Sequence, residues 1–192
     1  MKILFTGTIH TGKSTLLHRL QTDPIPNCGL IEETARKLLS QHPELEKLQK
    51  FQDILFAQQV ELENQMESKN TQFIICDRGV LDIVAYARFF GHPVKRAWLE
   101  WCKTYDKAFI FDKADVPFTN DIIDLDPQYE KSRDWIDFRN GLDQHFKNVL
   151  QELNIPYALL SGTVEHRLSH IRIELLSPSR NVEYERAKKE AR

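Results

Sequence analysis

The chain has 192 residues, with 26 basic and 28 acidic side chains and a formal net charge of −2. At 41% hydrophobic and 28% charged residues, it has the composition of one ordinary globular domain, which excludes fibrous, disordered and membrane-embedded classes. The near-neutral charge argues against a protein built to hold nucleic acid, which normally carries a basic excess.

The first elements come at once. Ile3-Leu4-Phe5-Thr6 is a short continuous apolar run, the pattern of a strand buried on both faces. It leads into Gly7-Thr8-Ile9-His10-Thr11-Gly12-Lys13-Ser14, and Leu16, Leu17 and Leu20 then set a helical pattern. Strand, G-x-x-x-x-G-K-S and helix in succession are the full context of a phosphate-binding loop. Gly7 and Gly12 let the backbone approach a phosphate closely. The amides from Ile9, His10 and Thr11 to Ser14, with Thr15 beside them, point at an anion held by the helix start. Lys13 can reach the β- and γ-phosphates, and the Ser14 hydroxyl is placed to ligate Mg²⁺. His10 reads as a variable position of the loop.

Gly29-Leu30-Ile31 is a second short strand ending in Glu32-Glu33, and a helix runs from Thr34 to Ser40. Pro43 opens another helix, in which Leu48, Phe51, Leu55, Leu62 and Met66 form a core-facing stripe. Phe73-Ile74-Ile75-Cys76 is a third buried strand, ending in Asp77-Arg78-Gly79. Helices follow near 80–90 and 93–103, and Ala108-Phe109-Ile110-Phe111 is a fourth strand ending at Asp112. Residues 112–133 are irregular and rich in acid and proline, a connector long enough to be functional. A helix over 134–153 leads to a fifth strand, Tyr157-Ala158-Leu159-Leu160, and Ser161-Gly162-Thr163 opens a last helix to Leu176.

Strands alternating with helices predict an α/β domain whose parallel sheet is covered on both faces, with ligands at the carboxyl ends of the strands. The boundaries are a domain over 1–176, a segment at 112–133 and a charged tail over 177–192. Asp77, after an apolar strand, reads as the acid that holds Mg²⁺ directly or through water, or as a solvated strand-end acid. Arg78 either clamps an anionic acceptor or pairs with a nearby carboxylate. Glu33 and Arg36 are three apart and share a helix face. One of Glu32 and Glu33 accepts the proton of an attacking hydroxyl, or both are first-turn acids favoured by the helix dipole. Trp98 with Trp101, and Tyr86 with Phe90, are open to core packing or to stacking on an acceptor.

The three cysteines, Cys28, Cys76 and Cys102, are widely spaced without a C-x-x-C pair, and read as reduced thiols of an intracellular, cytoplasmic protein. No apolar run reaches the roughly 18 residues of a membrane span, and the N-terminus does not read as a secretory signal. The histidines show no metal-ligand spacing, so Mg²⁺ is expected and zinc is not. The sequence assigns no oligomeric state.

With these residues placed, the sequence resembles P-loop kinases of the AAA_28 type. Within that group it is similar to the ribosylnicotinamide kinase module of bacterial NAD-biosynthesis regulators. The likeness covers roughly residues 2–172. It rests on Gly7–Ser14, Glu33-Thr34-Ala35-Arg36, Gln59 and Glu63, and Asp77-Arg78-Gly79. Tyr105-Asp106, Asp115-Val116-Pro117-Phe118, and Ser161-Gly162 with Arg167 complete it. The resemblance implies a five-stranded nucleoside- or nucleotide-kinase-like fold with a lid. It also implies ATP- and Mg²⁺-dependent phosphoryl transfer to a small nucleoside- or nucleotide-like acceptor. By that carry-over Glu33 and Arg36 line the acceptor pocket, with Glu32, Arg78 and Asp112 as the other strand-end candidates. The 112–133 lid brings Lys131 and Arg133 to the transferred phosphate, and Ser161-Gly162 lies near the adenine. The arginine that ribosylnicotinamide kinases often carry after the Asp-x-Pro-aromatic turn is Asp124 here, with Asp121 at the intermediate acidic position.

The rival reading is a regulatory ATPase or GTPase switch without a small acceptor. Asp112-Lys113-Ala114-Asp115 faintly resembles the guanine-reading N/T-K-x-D motif, with Asp in place of Asn or Thr. A nucleic-acid 5′-end kinase shares the loop and the strand-end acid, and the charge gives it no support.

Overall fold

The computed structural model describes residues 1–47, 50–113 and 133–177. Five parallel strands form one sheet: β1 (Lys2–Thr6), β2 (Cys28–Ile31), β3 (Phe73–Asp77), β4 (Lys107–Phe111) and β5 (Tyr157–Leu160). Their order is β2-β3-β1-β4-β5, so the phosphate-loop strand is central. The helices are α1 (Lys13–Thr22), α2 (Thr34–Gln41), α3 (Phe51–Glu67), α4 (Val80–Phe89), α5 (Arg96–Cys102), α6 (Arg133–Glu152) and α7 (Val164–Leu176).

Alternation along the central strand divides the core. Ile3 and Phe5 pack with Phe73, Ile75, Phe109 and Phe111 under α1 and α7. Leu4 faces the opposite way, with Ile74, Cys76 and Ile110, into a cluster built by α4, α5 and α6. A strand buried on both faces needs such a continuous apolar run, which is why β1, β3 and β4 were legible.

Two elements differ from expectation. Pro43 does not open the long helix; it opens a 3₁₀ turn over Pro43–Lys47, in which the Leu45 amide donates to the His42 carbonyl, three residues back. Such turns rarely extend beyond one or two repeats, and α3 starts separately at Phe51. The predicted stripe of α3 does face the core, with Leu55 buried and Phe51, Leu62 and Met66 partly buried against it, but the other fully buried residues of the helix are Gln59 and Glu63. Leu48 lies outside the described residues. An apolar stripe is found by counting apolar residues, and here two polar residues occupy the centre of the face.

Two of the cysteine thiols are buried and the third, Cys28, is partly so; all are free. Burial pushes the Cys28 thiol up to about 11 and raises Cys76 and Cys102 as well, so all three stay protonated near neutrality. No helix among the described residues is long and apolar enough to cross a membrane.

Candidate functional site

Between β1 and α1 the loop turns with φ of 122° at Gly7, 54° at His10 and 85° at Gly12. Gly7 has a further reason to be glycine: a Cβ there would lie 3.1 Å from the Phe111 carbonyl oxygen on β4. Strand packing therefore fixes this position as much as access for a phosphate does. Lys13 is buried, and its Nζ donates to the carbonyls of Gly7 (3.1 Å) and Thr8 (2.6 Å) and to the Thr11 hydroxyl (3.1 Å). Burial, reinforced by the Arg78 charge, lowers the Lys13 pKa to about 7.

Strand alternation aims Asp77. Phe73 and Ile75 face α1, and Asp77, two residues on, faces it too. Ser14 Oγ, in the first turn of α1, donates to Asp77 Oδ2 at 3.0 Å. The second oxygen, Asp77 Oδ1, is buried and has no hydrogen-bond partner among the described residues. Burial, with the Glu33 charge added, holds the Asp77 carboxyl above its usual range against the opposing pull of Lys13. An uncommitted carboxylate oxygen beside a hydroxyl suits a hard divalent cation, and Ser14 and Asp77 are the residues that could hold one. The described residues contain no group of three or more His, Cys, Asp or Glu placed for a metal. Magnesium does not need one, because it commonly takes one or two protein ligands and completes its shell with phosphate and water.

Glu33 joins this pair to the other strand end. Arg36 Nη2 meets Glu33 Oε2 at 2.6 Å, the expected i, i+3 contact, and Arg36 Nη1 reaches Ser14 Oγ at 3.1 Å. Arg78 Nε meets Glu33 Oε1 at 3.1 Å, and Arg78 Nη1 meets Asp82 Oδ1 at 2.8 Å. Asp82 also accepts from the Thr6 hydroxyl (3.1 Å) and from the Gly79 amide (3.0 Å), which satisfies a free N–H at the start of α4. Arg78 itself sits at φ 65°. A bulky residue rarely adopts that conformation, and here the ion pairs to Glu33 and Asp82 hold it.

Two cavities meet at Glu33. One, of about 470 Å³, runs between α1 and α2 past Ser14, Asp77, Glu32 and Arg36. The other, of about 420 Å³, is lined by Ile9, Leu39, Phe51, Leu55, Ile83 and Tyr86, with Glu33 and Arg78 at its polar wall. Both volumes lie in the range of small-molecule sites.

Residues 2–167 match the AAA_28 family, described as an AAA domain. The chain belongs to the AAA_28 family. Among solved structures, deoxyadenosine kinase from M. mycoides is similar at a TM-score of 0.59 and 14% identity, with 92% of this chain and 100% of that one covered. Thymidylate kinase from Ehrlichia chaffeensis is similar at a TM-score of 0.58 and 18% identity, covering 90% of this chain and 97% of that one. Thymidylate kinase from Candida albicans gives a TM-score of 0.58 and 18% identity, with 90% of each chain covered. At these identities the likeness is one of fold: a five-stranded parallel sheet flanked by helices, as in P-loop nucleoside and nucleotide kinases. No curated protein matches the chain.

In this AAA_28 protein the fold brings Lys13, Ser14, Glu33, Arg36, Asp77 and Arg78 together. Glu32 is exposed, accepts from Gln21 Nε2 at 2.8 Å and lines only the first cavity. Ile9 lines the second, apolar cavity. Thr11 is buried, its hydroxyl donating to the Thr8 carbonyl at 3.1 Å, and Thr15 is exposed on α1. Asp112 lines neither cavity; its carbonyl faces Arg167 Nη2 at 3.5 Å. Ser161 and Gly162 form the exposed turn before α7, where the Thr163 hydroxyl caps the helix by accepting from the His166 amide. Trp98 is a core residue, Trp101 is partly buried, Tyr86 lines the apolar cavity, and Phe90 is 55% exposed. α6 begins at Arg133, whose side chain lies outside the described residues, as do Asp115, Val116, Pro117, Phe118, Asp121, Asp124 and Lys131. So do the rest of the expected lid beyond Lys113, the guanine-like motif from Ala114 on, and the tail beyond Ser177.

Three buried polar residues were not singled out for the site from spacing or strand ends. Asp82 anchors Arg78, as described. Arg139 of α6 is buried, and after burial itself it is the leading cation that lowers the His10 pKa, ahead of Lys13, Arg36 and Arg78. Its signal was an arginine on a buried stripe with Leu142 and Phe146. Arg167, included only by resemblance, donates through Nη1 to the Thr11 carbonyl at 2.6 Å and so braces the phosphate loop from α7.

Proposed function

We propose that the protein is an ATP- and Mg²⁺-dependent phosphotransferase that moves the γ-phosphoryl group onto a hydroxyl of a small nucleoside-like acceptor, as in the ribosylnicotinamide kinases it resembles. One observation carries this reading: Glu33 faces the Ser14–Asp77 pair on one side and an apolar cavity of about 420 Å³ on the other. An NTPase that activates only water has no use for such a cavity. The kinase descriptions of the structural neighbours support the same class of reaction.

The acceptor seats its apolar part against Phe51, Leu55 and Tyr86, which directs a hydroxyl toward Glu33. Glu33 takes the hydroxyl proton as the oxygen forms its bond to the γ-phosphorus; the bond from that phosphorus to the bridging oxygen breaks, and ADP leaves. Lys13 exchanges its loop contacts for phosphate oxygens. Arg36 and Arg78 neutralise charge and hold the Glu33 carboxylate in place. Ser14 and Asp77 hold the magnesium, which supplies charge neutralisation on the phosphates. A hydroxyl acceptor fits better than a phosphate one, because both nearby arginines are already paired and a second phosphate would meet the Glu33 charge. Gly7 to Thr15 cradle the triphosphate, and the Ser161-Gly162 turn, the lid and Arg133 keep the roles the resemblance gives them.

Glu33→Gln tests the assignment. Transfer to the acceptor is expected to fall about 10²-fold, the lower range for a positioned base, with the KM for ATP nearly unchanged. Near-wild-type transfer by Glu33→Gln would remove the base from this site.

The Lys13 environment adds a pH dependence. Phosphate binding favours the ammonium, whereas burial among the loop's own groups holds Lys13 at a pKa of about 7. Affinity for the magnesium nucleotide is therefore flat below that pH and falls above it, by up to about tenfold per unit. Calorimetry at pH 8 in two buffers of different ionisation enthalpy should report proton uptake on binding, and Lys13→Met should abolish it.

A further inference from the structure

We propose that Glu63, on the buried face of α3, is the positioning residue that holds both arms of the cleft, Glu33 and Arg78, in register; this rests on the phosphotransferase reading above. Glu63 is fully buried and accepts four hydrogen bonds on its two oxygens. Oε2 takes Lys2 Nζ at 3.1 Å and Trp101 Nε1 at 2.8 Å. Oε1 takes the Tyr105 hydroxyl at 2.6 Å and Gln59 Nε2 at 2.8 Å. A buried carboxylate is tolerated only when paired and satisfied in this way.

Two of those donors are bifunctional, and Glu63 fixes which way each faces. Gln59 gives its amide N–H to Glu63, so its carbonyl oxygen must face outward, where it accepts from the Thr34 hydroxyl. Thr34 is buried at the start of α2, directly after Glu33. Tyr105 commits its proton to Glu63, so a lone pair remains for the Val80 amide, which donates to it at 2.9 Å. Val80 starts α4, two residues after Arg78. Gly79 between them has no side chain to spare: a Cβ there would stand 2.3 Å from the Tyr105 hydroxyl. One carboxylate thus orients a wire to each strand end, and the two ends meet in the Arg78–Glu33 ion pair at 3.1 Å. The Lys2 ammonium, which also contacts Glu67 at 2.8 Å, balances the charge of the hub.

A purely structural role for Glu63 would be to neutralise Lys2, and the test separates the two. Glu63→Gln and Glu63→Gln/Lys2→Met are compared with wild type; the second removes the buried ammonium that the first leaves without its main partner. In both variants kcat for transfer is expected to fall about tenfold or more while the KM for ATP stays within about twofold. Amide exchange at Val80 and around Thr34 should accelerate about tenfold, with β1 still protected. Recovery of wild-type kcat and wild-type Val80 exchange in the double variant would overturn the inference. Should wild type transfer no phosphate to any hydroxyl acceptor, the phosphotransferase reading fails, and the exchange rates alone still decide whether Glu63 holds the two arms.

Discussion

Lys13→Ala is expected to lower phosphoryl transfer by about 10³- to 10⁵-fold, the range commanded by a cation on the transferred phosphoryl group, and to leave the protein folded. The loss follows from position: Lys13 Nζ is the ammonium seated inside the loop, on the carbonyls of Gly7 and Thr8. Retention of the fold follows from its cost. Burial drives the Lys13 pKa from 10.5 to about 7, so the folded chain holds this proton less tightly than the unfolded chain does. In wild type that penalty is present near neutrality and fades as pH rises from about 7 toward 10.5. The alanine variant lacks the penalty, and the Gly7 carbonyl still accepts from Arg78 Nη1 at 3.3 Å. Thermal unfolding at pH 7 should therefore show Lys13→Ala as stable as wild type or more so, alongside a turnover assay that shows near-complete loss.

Asp77→Asn is expected to raise the magnesium concentration for half-maximal rate at least about tenfold and to lower kcat by about 10³, the loss of several kcal/mol of charge stabilisation. The amide keeps the shape of the side chain and can still accept from Ser14, but it cannot offer the metal a charged oxygen. Asp77 Oδ1 is the buried oxygen with no protein donor among the described residues, so the change touches the ligand function and little else. Because burial already holds the carboxyl above its usual range, a neutral replacement does not weaken the fold. Magnesium titrations of initial rate, paired with unfolding curves, check both halves; an unchanged magnesium dependence would remove Asp77 from the metal site.

The parts of the site that could be read in the sequence share one property: local pattern dictates them. The loop is contiguous, Asp77 follows from strand alternation, and the Glu33–Arg36 pair follows from helical spacing. The rest depends on tertiary packing. The α3 stripe of Phe51, Leu55, Leu62 and Met66 does face the core, but Gln59 and Glu63 hold its centre because donors from other elements converge there. Asp82 was not singled out, because its bond to Arg78 depends on the left-handed turn at that arginine. Arg139 was not singled out, because its charge bears on His10 only once α6 is packed in the fold. Lys13 folded back on its own loop carries no sequence signal at all.

The most direct test of the account is a single-turnover reaction with ATP labelled at the γ-phosphate, Mg²⁺ and a panel of nucleosides and nucleotides, with label counted separately in acceptor and in free phosphate. The account predicts label in a nucleoside-like hydroxyl acceptor, formed faster than free phosphate and lost in Lys13→Ala. Label that appears only as free phosphate, at a rate no acceptor changes, would contradict it.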